Sequence, residues 1–165
     1  MIPDADQVLL YGYGNPGRED DGLGTSLAEA VEKLAIAGVA VDANYQLSVE
    51  DAATVARYPA VIFADAAVAG PEPFSFAPLA PKRQLSFSTH SVDAATVLGL
   101  AEEMFGAKTK GYLLGIRGYS FGMFTEKLTA QAEANLAAAI EFLVPLLRQG
   151  PVALAAAGDR SRPAS

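Results

Sequence analysis

Short apolar runs alternate along the chain with stretches in which apolar residues recur every three or four positions. The short runs predict strands, and the nearly continuous ones predict strands that are covered on both faces. The predicted strands lie at residues 7–13, 39–44, 61–65, 85–89 and 112–117. The helical patterns start near residues 21, 48, 91 and 125, and they end before Gly38, near Arg57, at Gly106 and near Arg148. Strand and helix therefore alternate almost throughout the chain.

Three of the predicted helices begin at a residue that is suited to cap them. Asp20 or Asp21 is expected to cap the first helix, since short acids are favoured at that position. Ser48 followed by Asp51 resembles a capping box with a shortened acid, and Ser91 is expected to cap the third helix. These positions predict where each loop gives way to a helix.

Two stretches depart from the alternation. Residues 70–82 include five prolines or glycines, which predicts a surface crossing with at most an edge strand inside it. Residues 150–165 are rich in Ala, Arg, Ser and Pro and predict a loosely held tail. We therefore expect residues 1–149 to form a single α/β domain, which is a size at which one core suffices.

Alternating strands and helices predict right-handed crossovers and a mostly parallel sheet. The expected fold is an α/β three-layer sandwich with a twisted sheet of about five strands and helices on both faces. In such a sheet the loops that follow the strands meet at one edge, where ligands usually bind. The side chains expected at that edge are Asp21, Asp42, Asp65, His90 and those of residues 117–121.

Composition narrows the chemistry of such a site. The chain has no cysteine, which excludes disulfides and thiolate ligands, and His90 is its only histidine. A formal net charge of −7 argues against a nucleic-acid partner. There is no apolar run of membrane-spanning length and no signal-peptide pattern, so we expect neither membrane insertion nor export, and the predicted location is the cytoplasm.

The loop after the first strand is rich in both glycine and acid. Its glycines match the spacing of a dinucleotide-binding loop, Gly12, Gly14 and Gly17. However, the acids of residues 19–21 follow directly and would repel a pyrophosphate at the start of the helix. The loop is therefore expected to attract a positive ion rather than a nucleotide, although its glycines also suit an ordinary turn.

Two carboxylates and one imidazole are the strongest candidates for binding that ion. Each has a structural alternative, since Asp21 suits a helix cap, Asp65 can accept hydrogen bonds from the next loop, and a lone histidine such as His90 is often structural. Taken together they form an O,O,N ligand set that suits zinc or nickel and leaves positions open for water or substrate. No Gly-x-Ser-x-Gly elbow is present to support a serine nucleophile.

At this point the sequence resembles the hydrogenase maturation endopeptidases, over about residues 8–147. The resemblance is carried by Gly-Tyr-Gly-Asn and Asp-Asp-Gly-Leu-Gly in the first loop, Ile-Phe-Ala-Asp-Ala at the third strand, Ser-Thr-His-Ser before a helix, and Leu-Gly-Ile-Arg-Gly at the last strand. These enzymes remove a C-terminal peptide from the large-subunit precursor of nickel-iron hydrogenase after nickel has been inserted.

The resemblance implies an endopeptidase that acts through its carboxylates and a metal. It places the metal ligands at Asp21, Asp65 and His90, all three of which count as catalytic. The metal is expected to be the nickel of the precursor rather than a permanent cofactor, and zinc or cadmium could substitute for it. The expected partner is that precursor.

Two loops depart from the family pattern. Asp42-Ala43-Asn44 stands where many relatives have Asp-Gly-Gly, and Arg117-Gly118-Tyr119 stands where many have a Pro-Glu pair. Asp42 is a candidate for orienting or deprotonating water. Substrate contacts are expected from residues that border the site, namely Gly14, Asn15, Arg117, Gly118 and Tyr119, with amides around Gly14 and Gly118 as candidates for binding an oxyanion.

Other functions remain open at this level. One is a metal-dependent hydrolase of a small substrate, such as an amidase or aminopeptidase, which would need a deep pocket. Another is a non-catalytic, nickel-sensing chaperone on the same fold, which would bind the precursor without changing its mass. Nucleotide binding at the glycine loop is a third.

Overall fold

The computed structural model describes residues 6–83, 92–122 and 124–161. Its strands are β1 Val8–Tyr13, β2 Val39–Asn44, β3 Ala60–Ala67, β4 Phe74–Leu79 and β5 Lys110–Arg117. Its α-helices are α1 Leu23–Leu34, α2 Asp51–Val55, α3 Ala94–Phe105, α4 Ala130–Gln149 and α5 Pro151–Ser161, and a short 3-10 helix, Glu19–Gly22, precedes α1. The predicted strand at residues 85–89 and the predicted cap Ser91 lie outside the described residues.

The strands form one sheet in the order β2-β1-β3-β5-β4. The pairs β1 with β2, β1 with β3 and β3 with β5 are parallel, whereas β4 runs antiparallel to β5. The predicted α/β fold with a mostly parallel sheet is therefore confirmed. β4 occupies the proline-rich crossing, in the edge position that its prolines favour.

Helices cover both faces of the sheet because the strands are apolar on both faces. The first core lies under α1, α4 and α5 and includes Leu10, Ile62 and Leu114 from the central strands. The second core lies under α2 and α3 and includes Leu9 and Phe63 from the same strands. Successive residues of each strand face opposite cores. This alternation determines which side chains of β1 and β3 lie on the same face at the end of the sheet.

The helix starts differ from the predictions at all four predicted helices. Glu50, not Ser48, occupies the N-cap of α2, and no side chain caps that helix. Gly22, not an acid, occupies the N-cap of α1, and no side chain caps that helix. Asp93 caps α3 by accepting a hydrogen bond from the Thr96 amide, 2.8 Å long. Thr129 caps α4, which begins later than predicted, by accepting a hydrogen bond from the Ala132 amide. Because Asp20 and Asp21 do not cap α1, their carboxylates can make other contacts.

The prediction that residues 150–165 form a loosely held tail is wrong for residues 151–161. They form α5, which packs against β4 and α4 and buries Leu154 and Ala157. Many residues of α5 are alanines. Alanine gives only a weak hydrophobic periodicity in the sequence, so the helix was not predicted, although alanine packs closely on a sheet.

α4 is long and apolar enough, by length and composition, to cross a membrane. In this structure its Ala139, Leu143 and Leu147 are buried in the first core. The apolar residues of α4 therefore have a partner inside the domain, as in the core helix of a globular protein.

Candidate functional site

Two glycines bring the start of α1 into direct contact with the sheet. A Cβ added at Gly24 would overlap the carbonyl oxygens of Ala64 in β3 and Tyr13 in β1. A Cβ added at Gly12 would overlap the carbonyl of Gly24 from the other side. Because no side chain separates these backbones, the 3-10 helix that precedes α1 lies at the ends of β1 and β3.

Asp21 lies in that 3-10 helix and is half-buried. Its Oδ2 accepts a hydrogen bond from the Asn15 amide over 2.8 Å. Gly14, with φ of 132°, brings the loop close enough that a Cβ there would overlap the Asp21 carbonyl oxygen. The turn of the first loop thus fixes the position of the Asp21 carboxylate.

Asp65 lies near the end of β3, half-buried, and its Oδ1 accepts a hydrogen bond from the Ala66 amide over 2.8 Å. Burial raises the pKa of Asp65 to about 6, and the negative charge of Asp21 adds to the rise. Hydrogen bonds from the Ala66 amide and the Tyr13 hydroxyl oppose it. The two carboxylates are thus close enough to interact, although 44 positions separate them in the sequence.

The described part of the chain places no salt-bridge partner beside this pair. Among the residues that the structure describes, no lysine or arginine forms a salt bridge with Asp21 or Asp65. Two carboxylates that repel each other at a half-buried position are suited to bind a divalent cation, whose charge offsets the repulsion.

Asp20, the neighbour of Asp21, has a different role. It is completely buried, and it accepts hydrogen bonds from the amides of Tyr119, Ser120 and Thr129 and from the Thr129 hydroxyl, between 2.8 and 3.1 Å long. Burial alone would raise the pKa of Asp20, but these hydrogen bonds hold it below its ordinary value. Asp20 therefore joins the first loop to the loop between β5 and α4.

Comparison with solved structures identifies the fold. The hydrogenase maturation protease HycI of Thermococcus kodakarensis KOD1 superposes with a TM-score of 0.68 at 22% identity, over 88% of this chain and 94% of that one. The E. coli hydrogenase maturating endopeptidase HybD gives 0.64 at 22% identity, over 87% and 93%. A hydrogenase 2 maturation peptidase from a Thaumarchaeota archaeon gives 0.62 at 20% identity, over 86% and 97%.

This chain has the hydrogenase maturation protease fold. The resemblance that the motifs predicted is thus confirmed at the level of the fold. A scan against models of protein families and a search of curated proteins found no match.

His90 is the predicted third metal ligand, beside Asp21 and Asp65, and it lies outside the described residues. Within residues 6–83, 92–122 and 124–161, no group of three Asp, Glu or His side chains could hold one metal ion. A complete ligand set therefore needs a contribution from elsewhere, and the assignment of His90 stays a prediction.

Asp42 is exposed on β2 and is not among the groups that shift the pKa of Asp65. It pairs with Tyr11 of β1, and β1 separates it from β3. Two strand spacings and two residues of offset place the Cα atoms of Asp42 and Asp65 about 11 to 12 Å apart. A role for Asp42 as the base that acts beside Asp65 stays a prediction, and it would need a water or a substrate group to bridge that gap.

The amides of Gly14 and Gly118 themselves make hydrogen bonds within the protein, and an oxyanion role for the amides around them stays a prediction. The Gly118 amide donates to the Ala67 carbonyl over 2.9 Å, and the Gly14 amide donates to the Asn44 carbonyl over 3.2 Å. Both groups are used inside the fold, so neither is available to a reacting carbonyl.

Arg117 and Tyr119 also make contacts within the protein. Arg117 donates to the Gly70 carbonyl over 2.9 Å and lies 5.2 Å from the centre of the Tyr119 ring. The Tyr119 hydroxyl donates to Glu72 over 2.7 Å and accepts a hydrogen bond from Asn135 over 2.9 Å. These contacts order the loop after β5, and its contact with a substrate stays a prediction.

Tyr13 belongs to the site but was not selected from the sequence. Burial raises the pKa of Tyr13, and the negative charge of Asp65 raises it further, so the two side chains lie close together. The signal available was strand alternation, because Tyr13 follows Tyr11 by two positions and so shares its face of β1. What the sequence did not supply was the register that pairs Gly12 with Ala64 and so places Tyr13 beside Asp65.

Proposed function

We propose that this chain is an endopeptidase that removes a C-terminal peptide from the large-subunit precursor of nickel-iron hydrogenase. The observation that carries the proposal is the pair of interacting carboxylates, Asp21 and Asp65, at the end of the sheet in a hydrogenase maturation protease fold. The protein is expected to act on this precursor in the cytoplasm.

The metal in this proposal is the nickel of the substrate. Asp21, Asp65 and His90 would hold it, and zinc or cadmium could take its place, because carboxylate and imidazole ligands suit all of these ions. Bound nickel supplies Lewis-acid chemistry, which polarises a carbonyl or lowers the pKa of a water molecule.

The protein residues prepare the site for that ion. The Asn15 amide holds one oxygen of Asp21, and the Ala66 amide holds one oxygen of Asp65, so each carboxylate is oriented before substrate arrives. Asp65, with a pKa of about 6, is mostly ionised at neutral pH and becomes protonated under mildly acidic conditions. Nickel-dependent activity should therefore decline as the pH falls below about 6, since a proton competes with the ion for this carboxylate.

Mass spectrometry of the precursor tests the proposal. Purified precursor, with and without nickel, is incubated with the wild-type protein, with Asp65→Asn, with His90→Ala and with the control Asp159→Asn, which changes an exposed acid on α5. We expect the wild type and the control to shorten only the nickel-loaded precursor, and both site variants to lose at least 100-fold in rate.

The other outcomes separate the alternatives. Binding of the precursor with no change in its mass would indicate a nickel-sensing chaperone instead of a protease. Equal cleavage by wild type and His90→Ala would remove His90 from the mechanism, and equal cleavage by Asp65→Asn would remove the carboxylate pair.

A further inference from the structure

The edge strand β2 has an outer side that pairs with no other strand in the described part of the chain. The strand at the opposite edge, β4, contains Pro78, which has no amide hydrogen to offer to a further strand. The sequence of β2, Val-Ala-Val-Asp-Ala-Asn, contains neither proline nor lysine, which commonly protect an edge from pairing with another chain. β2 can therefore accept a further strand.

The backbone of Val41 faces outward from this edge. The Gly14 amide donates to the Asn44 carbonyl over 3.2 Å, so the backbone of Asn44 faces β1. Because backbone polar groups of successive residues in a strand point to opposite sides, Asp42 also faces β1, whereas Val41 and Ala43 face away from it. The Ala43 amide donates to Asp42 Oδ1 over 2.9 Å. The Val41 amide is thus the outward donor that a partner strand can use.

A groove between α1 and β2 lies beside this edge, with a volume of about 260 Å³. A strand added to β2 would place every second side chain on the face that carries this groove, since side chains alternate between the faces of a sheet. The groove therefore provides a place for alternate side chains of an added strand. The residues that line it include Pro16, Ala28, Glu29, Glu32, Val41 and Asp42.

The charged side chains of the groove are negative. Glu29, Glu32 and Asp42 line it, and none of its described lining residues is a lysine or arginine. Lys33 forms a salt bridge with Glu29 over 3.3 Å, whereas the described part of the chain shows no salt bridge to Glu32 or Asp42. A lysine or arginine side chain suits such a groove, because its apolar stem can pack against Val41 while its charge lies near Glu32.

The groove adjoins the candidate site. Pro16 lines it, and the preceding residue is Asn15, whose amide donates to Asp21 over 2.8 Å. A strand beyond β2 would lie three strand spacings, about 14 Å, from β3, which carries Asp65. An extended chain covers that distance in about four residues. A substrate paired with β2 can therefore reach both carboxylates.

We propose that β2 binds the C-terminal segment of the precursor as an additional strand. The segment lies extended about four residues from the scissile bond, bonds to the backbone of Val41 and places lysine or arginine side chains in the groove. In this mode of recognition, backbone hydrogen bonds supply affinity and the pockets for alternate side chains supply selectivity. The inference rests on the proposed function, because it takes the segment from the precursor that the enzyme cleaves.

The first measurement uses two synthetic octapeptides, one of alternating threonine and lysine and one of alternating threonine and glutamate, with both ends blocked. Each is titrated into the isotopically labelled protein and followed by NMR. We expect the lysine peptide to shift the amide signals of Val41 and Ala43 and to slow hydrogen exchange of the Val41 amide about tenfold. The glutamate peptide should change neither. Equal binding of the two peptides, binding of neither, or signal changes away from β2 would overturn the inference.

Two substitutions test the edge and the groove separately. Val41→Pro removes the outward amide, and Glu32→Lys reverses a charge of the groove. Proline is tolerated on an edge strand where the amide faces solvent, and Glu32 is exposed on α1, so both variants are expected to fold. Val41→Ala is the control for the first, because it shortens the same side chain but keeps the amide. Glu141→Lys is the control for the second, because it makes the same change of charge at an exposed position of α4.

Binding of the lysine peptide is compared by calorimetric titration. We expect Val41→Pro and Glu32→Lys each to bind it about tenfold more weakly than wild type, and both controls to bind within about threefold. Wild-type affinity in Val41→Pro and Glu32→Lys would contradict strand pairing at β2. An equal loss in Glu141→Lys would show that only the net charge of the protein matters, which would also overturn the inference.

Cleavage of the nickel-loaded precursor separates this inference from the proposed function. A higher KM for Val41→Pro and Glu32→Lys, with both controls unaffected, would support both. An unchanged kcat/KM in these two variants would mean that the precursor does not use β2, while the proteolytic function stands. If the wild type leaves the precursor intact but binds it more tightly than a precursor truncated before its C-terminal segment, and Val41→Pro loses this preference, the pairing stands and the proteolytic function is wrong.

Discussion

Adjacent acids in the first loop have separate roles. Asp20 is fully buried and accepts four hydrogen bonds, which stabilise the protein, whereas Asp21 is half-buried and faces another carboxylate. Of these two adjacent residues, Asp20 is thus a structural carboxylate and Asp21 is a candidate metal ligand. Substitutions at the two positions should therefore affect different properties of the protein.

Asp20→Asn should lower the free energy of unfolding by about 2 to 3 kcal/mol, because an amide cannot accept hydrogen bonds on its nitrogen and is uncharged. Urea denaturation measures the change, and Asp159→Asn serves as the control because Asp159 is exposed. If Asp20→Asn lowers the free energy of unfolding by no more than the control does, the buried contacts of Asp20 contribute little to stability.

Asp65 should destabilise the metal-free protein at neutral pH. Its pKa in the folded protein is about 6, above the ordinary value of about 3.9, so between these values the folded state binds more protons than the unfolded state. The contribution of Asp65 to the free energy of unfolding consequently falls as the pH rises from about 4 to about 6.

We therefore expect Asp65→Asn to be more stable than wild type at pH 8 by about 1 to 3 kcal/mol, allowing for partial exposure of the carboxylate, and the two proteins to be equally stable below about pH 4. Urea denaturation in the presence of a chelator gives both values. A wild type that is the more stable protein at pH 8 would mean that hydrogen bonds to Asp65 outweigh its burial.

Among the elements, α5 shows how small residues can attach a helix to a sheet. Gly158 approaches the Tyr112 ring so closely that an added Cβ would lie 3.0 Å from it. Leu154 is completely buried in the first core on the same helix. The C-terminal helix is therefore part of the domain.

Leu154→Ala should lower the free energy of unfolding by about 2 to 4 kcal/mol, because it leaves a cavity where α5 meets the sheet. Val152→Ala is the matched control, since Val152 is 83% exposed on the same helix and its loss should change stability by less than about 0.5 kcal/mol. Thermal unfolding followed by circular dichroism distinguishes them. Similar melting temperatures for the two variants would indicate that α5 is not docked in solution.

At the scale of the whole molecule, the contact between α1 and the sheet couples folding to the candidate site. Gly24 touches the backbones of β1 and β3, and the same contact places Asp21 near Asp65. Loss of this contact should disturb both stability and metal binding.

Gly24→Ala should therefore lower the free energy of unfolding by about 3 kcal/mol or more and weaken nickel binding in the same variant, because the added methyl forces α1 away from the sheet. Gly122→Ala is the control, since a Cβ at Gly122 meets nothing within 4 Å. Calorimetric titration and urea denaturation report the two effects. A stable Gly24→Ala protein with unchanged nickel affinity would argue against the coupling.

The mostly parallel sheet could be predicted from the sequence because its central strands are short apolar runs separated by helical patterns. The end of β1 could be predicted too, and with it the candidate Asp21, whereas β3 runs on to Ala67, two residues past its predicted end at Asp65. The role of Asp20 could not, because its partners Tyr119 and Thr129 are about 100 residues away in the sequence. Tyr13 was missed for a related reason, since the register between strands is a property of the folded sheet.

The loops after β1 and β5 share more than the carboxylate of Asp20. The Glu19 amide donates to the Thr125 carbonyl, and the Ser120 hydroxyl donates to the Glu19 carboxylate. Opening one loop breaks the contacts of the other, so the two should open and close as one cooperative unit. A protein that binds to the surface around Phe124, which is 89% exposed, would thereby restrict the motion of the loop that carries Asp21 without contacting Asp21 itself.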